Sequence, residues 1–397
     1  MFDILLIKIA SFKMKQRNLI YSLAHWISTS NLIQTLGSSR SHTKKIFTLD
    51  LHTSVVRDVT PALNNINIQV NRWSISGSSH LFTEPNLHVR GVRNSNWKKI
   101  DAEKIETFQN KYRKFLKKQD GFIITYTFSF IELFSKYRKP ILGINATRYE
   151  SPFTFNEEMF MKLNETLKNY SELYVVSNNI ADQEYLEYFS GVKSQYIPSL
   201  CSYNTKHKPE TNTWVVLCRN LTLGKKISQV APNIKTQEEV WPTGYSYLEF
   251  ARVRGVIVIP YNISTMRMFE LTTAGFPIRI PSDRLLLEWS ELPGVLSELS
   301  YAQVYGRKPL KINLNSPMDP EWKKFYAWWL ERADWNQSDL FPNISRFDSL
   351  DELAYDPRPF KPESIIQRNL KINEMWKNYL EKFEKTLDKK LIPGNFT

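Results

Sequence analysis

Two groups of residues carry the types and spacing that chemistry needs. The first comprises Arg219, Lys225, Tyr261, Ser264, Thr265 and Glu270. Arg219 follows a short apolar run and Lys225 comes soon after, so both can offer positive charge at one strand end. Ser264 and Thr265 open a run with helical spacing, and either can cap a helix whose free N–H groups suit a phosphate. Together these groups can clamp a diphosphate from two sides. Glu270, about a turn further on, can accept hydrogen bonds from ribose hydroxyls, as a carboxylate does in dinucleotide folds. The second group is Asp50, His52 and Glu150, each just beyond an expected strand. A base at Asp50 or His52, with Glu150 in reserve, can take a proton from a hydroxyl. The plainer reading of that pair is a helix cap at Asp50 and a satisfied polar side chain at His52.

The element that positions the first group is the stretch VIVIPYNISTMRMFELTTAGFPIRIPS, residues 256–282. Its β-branched opening predicts a buried parallel strand ended by Pro260. A helix follows and stops at Gly275, and residues 278–280 predict a second strand, completing a tight strand–helix–strand crossover. The second group belongs to an earlier α/β series. Residues 45–51 predict a first strand, 55–63 a helix and 66–70 a strand, followed by a Ser/Gly-rich loop at 72–80 able to hold an anion or a hydroxyl-rich ligand. Further on, strands are expected at 121–126, 140–145 and 173–177, with helices at 105–116, 128–137, 156–170 and 180–189. Arg148 and Glu150 lie in the loop ATRYESPF, on the side where open α/β sheets bind ligands.

A chain of 397 residues is too long for one ordinary core and fits two domains. It is expected to divide into an N-terminal extension and linker (1–43), a first Rossmann-like domain (44–205), a second (206–362) and a final helix (363–397). The fold class is α/β, with two doubly wound domains facing across a cleft. An apolar content of 42% speaks for a folded chain without a long disordered portion. The formal charge of +13 is spread without a Lys/Arg block, which argues against nucleic acid and fits a solvated surface or an anionic substrate. Cys201 and Cys218 belong to no CxxC pair or metal-spaced cluster, so neither a disulfide framework nor a zinc site is expected. The N-terminus is apolar but broken by Asp3 and Lys8, neither a spanning helix nor a signal peptide. A cytoplasmic location is expected, with peripheral membrane contact left open. The cluster Trp328, Trp329 and Trp335 has helical spacing beside Phe325 and Leu330, which predicts core before sugar stacking.

The order strand, PYN-S-M, FE, AGFPI, PS resembles the donor-nucleotide segment of GT-B glycosyltransferases, the exostosin-like and related bacterial and large-DNA-virus proteins among them. FTLDLHTSVVRD with WSISG, ATRYESPF, EYFSGVKSQYIPSLC, and WWLERADWNQ followed by FDSLDEL are similar to the same group, so the resemblance spans residues 46–383. It implies two Rossmann-like domains, acceptor on the first and nucleotide sugar on the second, with the final helix crossing back. It implies transfer of a sugar from a nucleotide diphosphate to a glycan or lipid-linked acceptor. Arg219, Lys225 and the helix N-terminus can supply the positive charge that a departing diphosphate needs, and no DxD triad stands at a strand end, so neither a cofactor nor an obligatory metal is expected. One departure stands out. Many retaining members carry a second glutamate eight positions before the one at Glu270, and here that position is Asn262. The stereochemistry therefore stays open. Two rival readings remain: a catalytically silent glycan-binding or scaffold protein of the same fold, and a basic nucleic-acid-binding protein.

Overall fold

The computed structural model describes residues 43–76, 89–153, 156–297, 326–357 and 359–387. The expected N-terminal extension up to residue 42, the loop residues 77–80, Phe325 and the end of the chain after Leu387 lie outside the described residues. Two parallel sheets carry the fold. The first has the strand order β2-β1-β3-β4-β5-β6, from β1 (Lys44–Asp50), β2 (Ile68–Ser74), β3 (Gly121–Ile124), β4 (Ile141–Asn145), β5 (Leu173–Ser177) and β6 (Gln195–Tyr196). The second has the order β11-β10-β9-β7-β8, from β7 (Trp214–Leu217), β8 (Ile234–Thr236), β9 (Gly255–Val258), β10 (Ile278–Pro281) and β11 (Ile344–Phe347). Every pairing is parallel. The architecture is the expected α/β one, two Rossmann-like halves.

In both sheets the strand order reverses beside the first strand of the half, at β1/β3 and at β7/β9. Such a switch point leaves a crevice above the carboxyl ends, since the flanking connections leave in opposite directions. The central strands are apolar throughout because helices cover both faces: β3, β4 and β9 are buried at every position. The strands that escaped the sequence reading, β6, β8 and β11, are short and sit at or next to sheet edges. Their exposed positions, Gln195, Lys235 and Arg346, break the apolar run that betrays a buried strand.

Helix α1 (Thr53–Asn64) follows β1, α2 (Ala102–Lys111) precedes β3, α3 (Glu157–Asn169) links β4 to β5, and α4 (Ile180–Ser190) follows β5. In the second half, α5 (Leu221–Ser228) follows β7, α6 (Met266–Ala274) joins β9 to β10, and α7 (Asp283–Trp289) follows β10. Gly275 ends α6 with φ of +85°, the left-handed turn that favours glycine. The expected helix at 128–137 is instead a series of short helical turns. Trp329 and Trp335, the former on α8 (Tyr326–Glu331), are buried in the core.

The last helix, α9 (Pro362–Leu387), begins on a proline, whose fixed φ suits a first turn. Its Ile372, Trp376, Leu380 and Phe383 pack with Val55, Val59 and Leu63 of α1. Nearer its start, buried Arg368 donates to Leu340 O at 2.6 Å and to Thr273 Oγ1 at 2.9 Å. Its other nitrogen reaches Ser199 O at 3.5 Å. One side chain therefore ties the segment after β6 to the end of α6.

Candidate functional site

The carboxyl ends of the two sheets face each other across a cleft of about 750 Å³. On the side of the second sheet, β7 runs into Cys218 and Arg219, and the Arg219 guanidinium lies 3.3 Å over the ring of Tyr261, which follows β9. The loop after α7 holds that arginine in place. Asn220 caps α5 through Leu223 N at 2.8 Å and donates to Pro293 O at 3.0 Å. Gly294 takes φ of +85°, and a Cβ there would stand 2.9 Å from Arg219 Cβ. Glycine is thus demanded twice, by its backbone angle and by the arginine beside it.

Thr265 and Met266, at the start of α6, line the cleft. Thr265 occupies the N-cap position without a side-chain cap bond, so its hydroxyl does not consume the first N–H groups of the helix. Ser264 departs from expectation. Its Oγ donates to Asp182 Oδ2 at 3.1 Å and receives Arg148 Nη1 at 3.4 Å, turned toward the first half and away from the cleft lining. Lys225 also departs from it. It lies exposed on α5 and does not line the cleft, because the helix turns it to solvent one turn after Leu221.

Glu270 reaches the cleft from α6 and is 5% exposed. Its Oε1 accepts from Tyr203 OH at 2.8 Å and Tyr247 OH at 3.2 Å, while Arg267 Nη1 lies 3.3 Å from Oε2. Arg267 in turn donates to Tyr245 OH at 2.8 Å. Burial, with the Glu270 charge adding to it, raises the pKa of both Tyr203 and Tyr247. They remain hydroxyl donors to the carboxylate at any ordinary pH.

Across the cleft stand His52, Ser54 and Ser76. The His52 ring opens onto the cleft, and its Nδ1 lies 2.6 Å from Ser54 Oγ. Crowding by the cleft walls removes water and lowers its pKa below the usual 6.5, an effect that the negative charge of Glu270 partly offsets. Asp50 lies behind this surface. It is fully buried, its Oδ1 accepting from Ser74 Oγ at 2.8 Å and from Thr53 Oγ1 at 3.5 Å, so it organises the tips of β1 and β2 without lining the cleft. Its hydroxyl partners claim the carboxylate that the sequence offered as a base.

Glu150 is likewise buried and away from the cleft lining, its Oε1 held by Tyr185 OH at 2.8 Å. Burial pushes its pKa up to about 7, with the Tyr185 bond acting in the opposite sense. Its neighbour Arg148, expected at the ligand-binding edge, instead joins the two halves. Arg148 is 1% exposed, and its guanidinium pairs with Asp182 Oδ1 at 2.5 Å and donates to Asn262 Oδ1 at 2.9 Å. Asn262 also accepts from Ser264 N at 3.3 Å, which fixes the turn between β9 and α6.

The structure therefore brings His52, Arg219, Tyr261, Thr265 and Glu270 to one cleft, and leaves Asp50, Glu150, Lys225 and Ser264 outside its lining. Sequence reasoning missed Ser54, Arg267, Tyr245, Tyr247, Gln237 and Glu238, which also line it. Arg267 was within reach, as it stands three residues before Glu270 on one helix face. Among the described residues no three His, Cys, Asp or Glu side chains gather as metal ligands. No described helix is long and apolar enough to cross a membrane.

No family model matches the sequence. No curated protein matches it either. Among solved structures, the chain is similar to one titled as the glycotransferase of kitacinnamycin, with a TM-score of 0.38 and 9% identity, over 87% of this chain and 97% of that chain.

Proposed function

We propose that this chain is a metal-independent GT-B glycosyltransferase that moves a sugar from a nucleotide diphosphate to a hydroxyl of a glycan or lipid-linked acceptor. The observation that carries the reading is the cleft itself. It lies over the switch points of two Rossmann-like halves, with an arginine, a helix start and a buried carboxylate on one wall and a histidine on the other. The diphosphate lies between Arg219 and the first N–H groups of α6, where guanidinium and helix dipole meet it from two sides. Glu270 takes the ribose hydroxyls, exchanging part of its tyrosine hydrogen bonding for them.

On the acceptor side, His52 is the base. With Nδ1–H donating to Ser54 Oγ, the Nε2 lone pair is available to the acceptor hydroxyl. Nε2 takes the hydroxyl proton as the acceptor oxygen bonds to the anomeric carbon. The bond from that carbon to the diphosphate oxygen breaks, and its electron pair leaves on the diphosphate. Arg219 and the start of α6 stabilise that developing charge. Direct displacement with one base inverts the anomeric centre. The resemblance of residues 256–282 to exostosin-like and related donor segments agrees with this assignment. Asp50 serves it indirectly, by holding the Ser74 and Thr53 hydroxyls beneath the base.

A screen of nucleotide-diphosphate sugars, read as thermal shift and as nucleotide release, tests the proposal. A donor that raises the melting temperature and is hydrolysed or transferred supports it. Stabilisation by none of them, together with salt-sensitive RNA binding, rejects it.

A further inference from the structure

The cleft continues past Arg219 to the end of β8, where Gln237 and Glu238 line it. These two begin a helical turn (Gln237–Val240) whose cap is already satisfied by other groups: Thr236 Oγ1 accepts from Glu239 N at 3.3 Å, and Glu239 Oε2 accepts from Thr236 N at 2.6 Å. The capping box uses Glu239 and leaves its neighbour Glu238 unused. Among the described residues neither Gln237 nor Glu238 has a side-chain hydrogen bond or ion pair. Glu238 lines the same cleft as Leu217 and Cys218 at the tip of β7.

The strand order places this end at the right reach. β9, β7 and β8 are consecutive neighbours, so the tip of β8 stands roughly 10 Å from that of β9, two strand spacings away. A nucleoside diphosphate with its phosphates at the start of α6 and its ribose at Glu270 carries its base toward β7 and β8. Leu217 and Leu221 supply apolar wall there, and Leu221 is 63% exposed at the cleft edge, a surface for the face of a ring.

We infer that this end of the cleft is a guanine subsite, and that the donor is a guanosine diphosphate sugar; the inference rests on the donor-cleft reading above. Guanine is the common base with two adjacent donors, N1–H and the N2 amino group, which engage both oxygens of one carboxylate in a bidentate pair. Its O6 then faces the amide N–H₂ of Gln237. Uracil offers a single N–H between two carbonyl oxygens, which a carboxylate repels. Adenine offers the carboxylate one amino group and leaves its second oxygen without a donor. The full pairing requires Glu238 next to Gln237, in that chemistry.

Calorimetric titration of the full chain with GDP, IDP, UDP and ADP tests the assignment, repeated on Glu238→Gln. Inosine lacks the N2 amino group, so IDP isolates that one contact. GDP is expected to bind at least tenfold more tightly than IDP, UDP or ADP, since a charged hydrogen bond contributes that much. In Glu238→Gln the preference for GDP over IDP collapses to within about twofold. Tighter or equal binding of UDP or ADP by the unaltered chain, or a GDP-to-IDP ratio unchanged by Glu238→Gln, overturns the guanine assignment and leaves the donor cleft standing. Binding of none of the four overturns the donor cleft and the subsite together.

Discussion

His52 and Glu270 face each other across the cleft with opposite tasks, and their surroundings differ accordingly. His52 has lost enough water for its pKa to fall below 6.5, so the imidazole stays neutral, and competent as a base, at lower pH than a free histidine. The acid limb of kcat/KM is therefore expected below pH 6.5, with activity lost as pH falls through the folded-state pKa and retained above it. His52→Ala should lower kcat by about 10²- to 10⁴-fold and leave nucleotide binding nearly unchanged, as steady-state rates and calorimetry will show. Glu270 is fully engaged by Tyr203, Tyr247 and Arg267. Glu270→Gln should weaken nucleotide binding by about tenfold, one charged hydrogen bond, in the same titration. The candidate glutamate was legible because strand, turn and helix spacing around it are local. Its tyrosines were not, for Tyr203 and Tyr247 lie 67 and 23 residues away and meet it only through the fold. Asp50 shows the reverse: its position beyond a strand suggested a base, and the structure places it behind the cleft lining, its Oδ1 accepting from Thr53 and Ser74.

At the scale of elements, the turn between β9 and α6 does two jobs. Its Tyr261 and Thr265 face the cleft, while Asn262 and Ser264 are held from behind by Arg148 and Asp182. A buried charge pair contributes little beyond an apolar one, but removing one member leaves the other stranded. Arg148→Met should cost about 3–5 kcal/mol in urea denaturation, and adding Asp182→Asn should recover part of it, since the stranded carboxylate is then gone. The crossover was readable from its β-branched strand, Pro260 and Gly275. The Arg148 tether was not, because a residue after a strand looks alike whether it meets a ligand or another domain. Edge strands β6, β8 and β11 escaped for a different reason: their solvent-facing polar positions erase the apolar run.

For the whole molecule, two buried carboxyls stand outside the cleft chemistry: Glu150, held by Tyr185 within the first half, and Asp334, which accepts from Tyr196 across the halves. Glu150 and Asp334 are buried, and burial pushes each up to about 7 from usual values of 4.5 and 3.8. A raised folded-state pKa means the native state binds more protons than the unfolded one, so these groups favour the fold at low pH. That advantage declines as pH rises from the unfolded value to about 7. Glu150→Gln keeps an acceptor for Tyr185 and removes the ionisation. Its stability relative to the unaltered chain should therefore grow between about pH 5 and 8, by on the order of 2–3 kcal/mol in parallel urea melts. The α/β architecture was legible from alternating strand and helix patterns, whereas the seam between the halves depends on side chains from segments over a hundred residues apart, such as Arg148 with Asn262. The cleft is proposed to bind a nucleoside diphosphate between Arg219 and the start of α6. A crystal structure with a saturating nucleoside diphosphate tests it most directly. Both phosphates are expected in contact with the Arg219 guanidinium and the first N–H groups of α6, with the ribose on Glu270. A diphosphate bound elsewhere on the protein, with that cleft empty, would contradict it.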